Sequence, residues 1–167
     1  GETDMLGALE EVESFAEFAK RNNAVASTDV KSFEHLVCTE QLSRRLGFKV
    51  GEELIRVVRV RSLNGSARQV DHGYFLESIA KGLTPEVAEK SIYDYLEHKR
   101  GVKVMASRRT VSVELANDED CSYLDLGKYN CVAVMESQSY TSDGILFEVT
   151  HARTHPEIFH YRVNSKR

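Results

Sequence analysis

Two arginines lie two positions apart in the alternating stretch RVVRVRSLNG at residues 56–65. If this stretch is a β-strand, Arg59 and Arg61 project from the same face, with roughly 7 Å between them. Paired guanidinium groups are a common means of binding a phosphate or a carboxylate, because each presents a planar fork of N–H donors. The alternative is an ordinary solvated strand face, and this stretch alone fits both interpretations.

The turn that follows decides which residues share a face with the two arginines. An Asn-Gly dipeptide at 64–65 predicts a hairpin. A two-residue turn would place Arg61 opposite Arg68. A loop one residue longer would place Arg59 opposite Gln69, and we favour it because it groups polar with polar and apolar with apolar side chains. It predicts one polar patch, made of Arg59, Arg61, Gln69 and Asp71.

Two predicted helix starts add further anion-binding groups. Ser91 is followed three residues later by Asp94, and Ser14 by Glu17, which is the spacing of a capping box. A helix N-terminus presents unpaired N–H groups and the positive end of a dipole to an anion. Beside a pair of arginines, such a terminus would complete a phosphate site if the fold brings these elements together.

A second predicted hairpin turns at Ser142-Asp-Gly and carries a different set of polar side chains. Its return strand places four residues on one face: Glu148, Thr150, Ala152 and Thr154. A carboxylate among small polar residues could accept hydrogen bonds from sugar hydroxyls. For this strand taken alone, an exposed sheet face is the favoured alternative.

The predicted organisation is a series of hairpin-linked strands with helices inserted between them. Predicted strands cover about 30–37, 54–61, 67–74, 102–115, 131–140, 145–154 and 159–163. Predicted helices begin at the caps Ser14, Thr39, Thr84, Ser91 and Asn117. The fourth is expected to end at Gly101 and the last at about Leu126. This order predicts an α+β fold with a mostly antiparallel sheet, in a single domain over residues 1–167.

Composition narrows the class of protein. The chain has a formal net charge of −4 and a pI of about 5.9, which disfavours nucleic-acid binding by this segment itself. Its three cysteines have no short-spaced pair, so a reduced, cytoplasmic protein is expected. No apolar run approaches the length that spans a bilayer. The first residue is Gly rather than Met, so we expect a preceding segment.

Common catalytic and metal-binding motifs are not found. There is no GxGxxG or Walker loop, no HExxH and no GxSxG. His151 and His155 are four residues apart, which suits a metal on a helix, but they lie in a predicted strand end. No metal or cofactor is therefore expected, and binding is favoured over catalytic turnover.

Several stretches together resemble the UTRA domain, the effector-binding domain of GntR-type bacterial transcription regulators, whose fold is shared with chorismate lyase. The most specific are RVRSLNG (59–65), SIYDYLEHKRG (91–101) and GILFEVTHARTHPEIFHYRV (144–163). Within that family the chain is most similar to the trehalose operon repressors of low-GC Gram-positive bacteria. The stretches behind this are VDHGYF (70–75), LTPEVAEKSIYDYLE (83–97) and DEDCSYLDLGKY (118–129).

The resemblance implies a phosphosugar pocket, with trehalose 6-phosphate as the effector. The residues that match the family's phosphate-binding positions are Arg59, Arg61, Ser91, Tyr93, Ser14 and Phe15. Asp71 and Glu148 match the two acidic positions that contact the sugar. Amino-sugar-phosphate sensors of the family carry a tyrosine where this chain has Thr154, and the smaller residue leaves room for a larger or differently placed sugar.

The resemblance also implies partners. Family members form homodimers and bind operator DNA through an N-terminal winged helix-turn-helix domain, which is absent from these 167 residues. Two alternatives stay open. One is a sensor of the same family for another sugar phosphate or a small carboxylate. The other is a chorismate-lyase-like enzyme in which Arg59 and Arg61 would bind the carboxylates of chorismate.

Overall fold

A computed structural model describes residues 10–12 and 15–166, and six of its strands form one antiparallel sheet. The strands are β1 (Glu10–Val12), β2 (Ala26–Val37), β3 (Glu53–Leu63), β4 (Ser66–Leu76), β5 (Val104–Leu115), β6 (Cys131–Thr141), β7 (Leu146–Thr154) and β8 (Tyr161–Val163). The sheet order is β2-β3-β4-β7-β6-β5, and β1 pairs separately with β8. The predicted α+β class with an antiparallel sheet is confirmed.

Short helices connect the strands. They are α1 (Phe15–Arg21), α2 (Glu40–Leu46), α3 (Pro85–Lys90), α4 (Ile92–Asp94) and α5 (Asp118–Tyr123), with a π-helical turn at Tyr95–Lys99 and a 3-10 turn at Pro156–Ile158. Thr39, Thr84 and Asn117 cap their helices through side-chain oxygens, as predicted. The predicted cap at Ser14 lies outside the described residues.

The prediction of one continuous helix from Ser91 to Gly101 is wrong. Ser91 Oγ does accept a hydrogen bond from the Asp94 N–H, at 3.2 Å, so the cap itself exists. The α-helix then ends after one turn and continues as the π-helical turn, in which the Arg100 N–H donates to the Tyr95 carbonyl. Likewise, α5 ends at Tyr123 rather than near Leu126.

The register of the β3–β4 hairpin differs from both predicted alternatives. Leu63 pairs with Ser66, so the turn has two residues, both with positive φ, as a type I′ turn requires. A bulge next to Arg61 then shifts the register by one, and Arg59 pairs with Asp71 while Arg61 pairs with Gln69. The favoured three-residue loop is therefore wrong, but the predicted grouping of the four polar residues on one face is confirmed because the two registers differ by an even number of residues.

Two apolar clusters pack against the sheet. The largest apolar cluster packs α2, α3 and the π-helical turn against the sheet around the fully buried Phe48, Phe75 and Phe147. A smaller cluster around Val70 and Val132 lies on the face opposite the arginine pair, under the segment that follows α5. None of the described helices is long and apolar enough to cross a membrane.

Candidate functional site

A cavity of about 240 Å³ opens on the sheet face that carries the arginine pair. Its floor crosses β3, β4, β7, β6 and β5, and α1, α4 and the end of the 3-10 turn contribute its walls. Seven of the nine predicted site residues line this cavity: Phe15, Arg59, Arg61, Asp71, Tyr93, Glu148 and Thr154. The sheet therefore brings the two predicted polar sets together, and their contacts with a ligand stay a prediction.

Arg59 is held in place by the protein itself. Its Nη2 donates to Asp71 Oδ2 at 2.5 Å, and its Nη1 donates to the Ala88 carbonyl at 3.3 Å. The two paired side chains are only 12% and 10% exposed. Asp71 Oδ1 is buried and has no hydrogen-bond partner among the described residues. One carboxylate oxygen is thus occupied and the other remains available for a donor such as a sugar hydroxyl.

Arg61 is held by an aromatic ring rather than by an acid. Its guanidinium carbon lies 4.8 Å from the centre of the Phe15 ring, within cation–π range. Its Nε is buried and has no hydrogen-bond partner among the described residues. Burial lowers the pKa of Arg61, and the neighbouring charge of Arg59 lowers it further. A buried donor on a cation that has no ion-pair partner among the described residues is the arrangement that a phosphate oxygen would satisfy.

Glu148 occupies another part of the cavity. It is only 2% exposed, and the Tyr93 hydroxyl donates to its Oε1 at 3.2 Å. Burial raises the pKa of Glu148 to about 7, and the charge of Asp71 adds to this effect. Tyr93 is 49% exposed as a whole residue, but desolvation of its hydroxyl at the cavity, together with the charge of Glu148, raises the pKa of Tyr93 to about 12. Near neutral pH, Glu148 can therefore either accept or donate a hydrogen bond.

Replacing Glu148 by glutamine should remove a pH dependence of stability. The folded protein holds this proton between the ordinary pKa of 4.5 and about 7, whereas the unfolded chain releases it. The wild-type free energy of unfolding should therefore fall as the pH rises through this window, by up to about 3 kcal/mol. The Glu148→Gln variant should lack this slope in denaturant titrations at pH 5 to 8. The exposed Glu89→Gln variant is the control, and equal slopes in all three proteins would contradict the prediction.

Two predicted phosphate ligands are placed differently from the arginine pair. Ser91 does not appear among the residues that line the cavity, and its hydroxyl caps α4. Tyr93 lines the cavity, but its hydroxyl is bonded to Glu148, a residue of the predicted sugar set. Thr154 is buried, and its Oγ1 accepts from Gln69 Nε2 at 2.9 Å, which ties β4 to β7 beside Arg61.

Other lining residues were not anticipated from the sequence. They are Phe75, Ile92, Arg109, Met135, Ser137, Ile158 and Phe159. Arg109 and Ser137 are paired on β5 and β6, so the order of the strands places them at the cavity. No signal in the sequence indicates that order, because β4 pairs with β7 across a long stretch of chain.

Gly73 leaves room for the Phe75 ring at the cavity floor. A Cβ atom at this position would lie 2.7 Å from Phe75 Cε2, which is closer than real contacts allow. Because Phe75 is only 2% exposed, a Gly73→Ala substitution should lower the free energy of unfolding by about 1–3 kcal/mol through overpacking. Thermal melts should show this loss. In a Phe75→Leu background the same substitution should be tolerated better, and an equal loss there would contradict the steric reason.

Comparison with known proteins gives consistent matches. The model of the UTRA domain family matches residues 21–160. Over 148 residues the chain is 28% identical to the HTH-type transcriptional regulator TreR of Bacillus subtilis, covering 89% of this chain and 62% of that protein. It is 23% identical over 150 residues to the HTH-type transcriptional repressor NagR of Bacillus subtilis, covering 90% of this chain and 61% of that protein.

A solved structure shares the fold. The effector-binding domain of the Bacillus subtilis trehalose repressor superposes with a TM-score of 0.77 at 27% identity, covering 84% of this chain and 98% of that domain. The chain thus spans less than two thirds of the length of the two curated relatives above, and nearly the whole of the solved domain.

Proposed function

The chain belongs to the UTRA domain family of GntR-type regulators, and from this premise we propose that it senses a phosphosugar, trehalose 6-phosphate, to control DNA binding by a transcriptional repressor. One observation carries the proposal. The cavity contains a buried donor without a partner, Arg61 Nε, and a buried acceptor without a partner, Asp71 Oδ1. A phosphosugar supplies the phosphate oxygen that the donor lacks and the hydroxyl that the acceptor lacks.

The phosphate lies at the arginine pair in this proposal. Arg59 is fixed by Asp71, and Arg61 is fixed against Phe15, so both guanidinium groups are held before the ligand arrives. Such preorganisation reduces the entropy lost on binding. A dianionic phosphate also relieves the repulsion between the two neighbouring cations.

The sugar hydroxyls lie along the floor between Asp71 and Glu148. Both carboxyl groups are buried, and small side chains between them leave the floor open. These small residues are Ala152 and Thr150. Thr154 lies beyond Ala152, beside Gln69, at the position where the amino-sugar-phosphate sensors of the family carry a tyrosine. The choice of trehalose 6-phosphate rests on this difference and on similarity to a trehalose repressor.

A thermal-shift series on this chain tests the ligand. The series comprises trehalose 6-phosphate, trehalose, glucose 6-phosphate, glucosamine 6-phosphate and chorismate. A ligand at about 100 times its dissociation constant should add about 2.7 kcal/mol to the free energy of unfolding. We expect stabilisation by trehalose 6-phosphate and none by trehalose, because the unphosphorylated sugar leaves Arg61 Nε without its acceptor.

The other outcomes each correct a different part of the proposal. Stabilisation by another sugar phosphate alone would keep a phosphosugar sensor and replace its ligand. Turnover of chorismate would indicate the enzyme alternative, in which the arginine pair binds carboxylates. A series without any shift would remove the phosphosugar proposal.

Control of DNA binding requires a homodimer, and β5 is the surface we assign to it. This strand has one neighbour among the described strands, β6, so its other edge is unpaired. One of its faces is apolar and exposed, with Val111 at 40%, Val113 at 73% and Leu115 at 75% exposure. A second copy pairing edge to edge would satisfy the open edge, and its side chains would pack beside these apolar residues on the same face of the extended sheet.

The dimer is tested by sedimentation of single variants. Val113→Glu should shift the chain from dimer to monomer, because it places a charge from each copy among the apolar side chains that meet across the paired edge. Ser112→Glu lies on the opposite face of the same strand and should leave the dimer intact. A monomeric wild type, or equal effects of both substitutions, would contradict this interface.

The effector acts in this proposal only through its difference in affinity between two dimer arrangements. One arrangement fits two operator half-sites and the other does not. A regulator of this kind works on DNA in the cytoplasm, which is the location we propose. Scattering from the complete regulator should differ with and without effector, and identical curves would contradict the mechanism.

A further inference from the structure

Arg109 lies at the opposite end of the cavity from the arginine pair. It belongs to β5, four strands away from β3, which corresponds to about 19 Å between the strands that carry the two ends. It pairs with Ser137, which pairs with Thr150, and all three residues line the cavity. These three residues, paired across neighbouring strands, place a third guanidinium group at the cavity.

Among the described residues, no hydrogen bond or ion pair involves Arg109. Other arginines of the sheet do have acidic partners. Arg56 pairs with Glu34, and Arg153 pairs with two acids on the other face. Arg109 is exposed and lines the cavity without a protein acceptor, so its five N–H donors are available to a ligand.

The surroundings of Arg109 indicate what chemistry it could meet. Burial raises the pKa of both Tyr93 and Glu148, and the positive charge of Arg109 acts on both groups in the opposite direction. These two groups, with Ser137, make this end polar but not strongly cationic, in contrast to the end with the arginine pair. The end with Arg109 is therefore suited to hydroxyl groups rather than to a second phosphate.

We propose that Arg109 binds the hydroxyl groups at the far end of an elongated effector whose phosphate lies at Arg59 and Arg61. This inference rests on the proposed function and extends it, because it makes Arg109 a residue that selects for ligand length. A two-ring sugar phosphate reaches both ends of the cavity, whereas a one-ring sugar phosphate contacts the phosphate end alone. Arg109 then contributes to the affinity for the first and not for the second.

The experiment compares two ligands and two substitutions by calorimetric titration. Arg109→Ala should weaken the binding of trehalose 6-phosphate at least tenfold, and leave the affinity for glucose 6-phosphate or inorganic phosphate within twofold of wild type. Arg108→Ala is the matched control. It removes the same charge from the neighbouring position, whose side chain is on the other face of β5 and does not line the cavity. It should leave all affinities unchanged.

Each other outcome overturns the assignment. Unchanged affinity of Arg109→Ala for trehalose 6-phosphate, with normal wild-type binding, would remove Arg109 and leave the proposed function intact. Equal weakening of both ligands would show a contribution to the phosphate end or a general charge effect. Equal effects of Arg108→Ala and Arg109→Ala would show a general charge effect. A wild-type protein that binds none of these ligands would remove the proposed function and this inference together.

Discussion

Arg61→Ala is expected to abolish the effector response while leaving the ligand-free fold intact or slightly more stable. The side chain has no acidic partner among the described residues, its Nε is unpaired, and its charge lies beside that of Arg59. Its removal loses the cation–π contact with Phe15 but relieves desolvation and repulsion in the free protein, so the net change in stability should be small. In the complex it removes a hydrogen bond to a charged group, which contributes about 1.5–3 kcal/mol. Calorimetric titration should show a loss of affinity of roughly 10- to 150-fold.

Arg59→Ala provides the contrast that makes this prediction specific. Arg59 is the protein partner of Asp71, so its loss leaves a buried carboxylate without a counter-charge. This variant should lose both ligand affinity and much stability of the free protein, whereas Arg61→Ala should lose affinity with little change in stability. Thermal melts without ligand distinguish the two. Undiminished effector affinity in a well-folded Arg61→Ala protein would disprove the phosphate assignment.

Local signals in the sequence were sufficient for the helix starts and for the face of the first hairpin. Thr39, Thr84 and Asn117 cap their helices because capping depends on neighbours within one turn. The register beyond Arg61 was not predictable in the same way. The bulge adds one residue that no turn signal marks, and only pairing with the next strand fixes it.

The candidate site likewise has a part that local sequence signals predict and a part that they do not. Arg59, Arg61 and Asp71 lie on adjacent strands of one hairpin, so the alternation of side chains was enough to group them. The meeting of this group with Glu148 depends on the pairing of β4 with β7, which is distant in sequence. Arg109 lies at the cavity only because β6 pairs with β7 and β5 pairs with β6. The resemblance to a family predicted that Glu148 belongs to the site, and it did not predict that Arg109 does.

Asp120→Ala should be the most destabilising single substitution that we can name. Asp120 is fully buried, accepts from Arg153 Nε and Nη2, each at 2.9 Å, and accepts from the Asn117 N–H as part of the α5 capping box. Its loss leaves the Arg153 charge, only 12% exposed, with the exposed Glu114 as its acidic partner. Breaking one side of a buried ion pair typically lowers stability by about 3–5 kcal/mol. Denaturant titration at neutral pH measures this difference directly.

The same substitution separates stability from ligand binding. The side chain of Arg153 is on the sheet face opposite the cavity, so the geometry around Arg61 should survive wherever the variant folds. Saturating effector should then raise the melting temperature of Asp120→Ala about as much as that of wild type. Asp118→Ala is the control, because this exposed acid in the first turn of α5 contributes less than about 1 kcal/mol through the helix dipole. If Asp120→Ala were no more destabilising than Asp118→Ala, the buried pair would not be what fastens α5 to the back of the sheet.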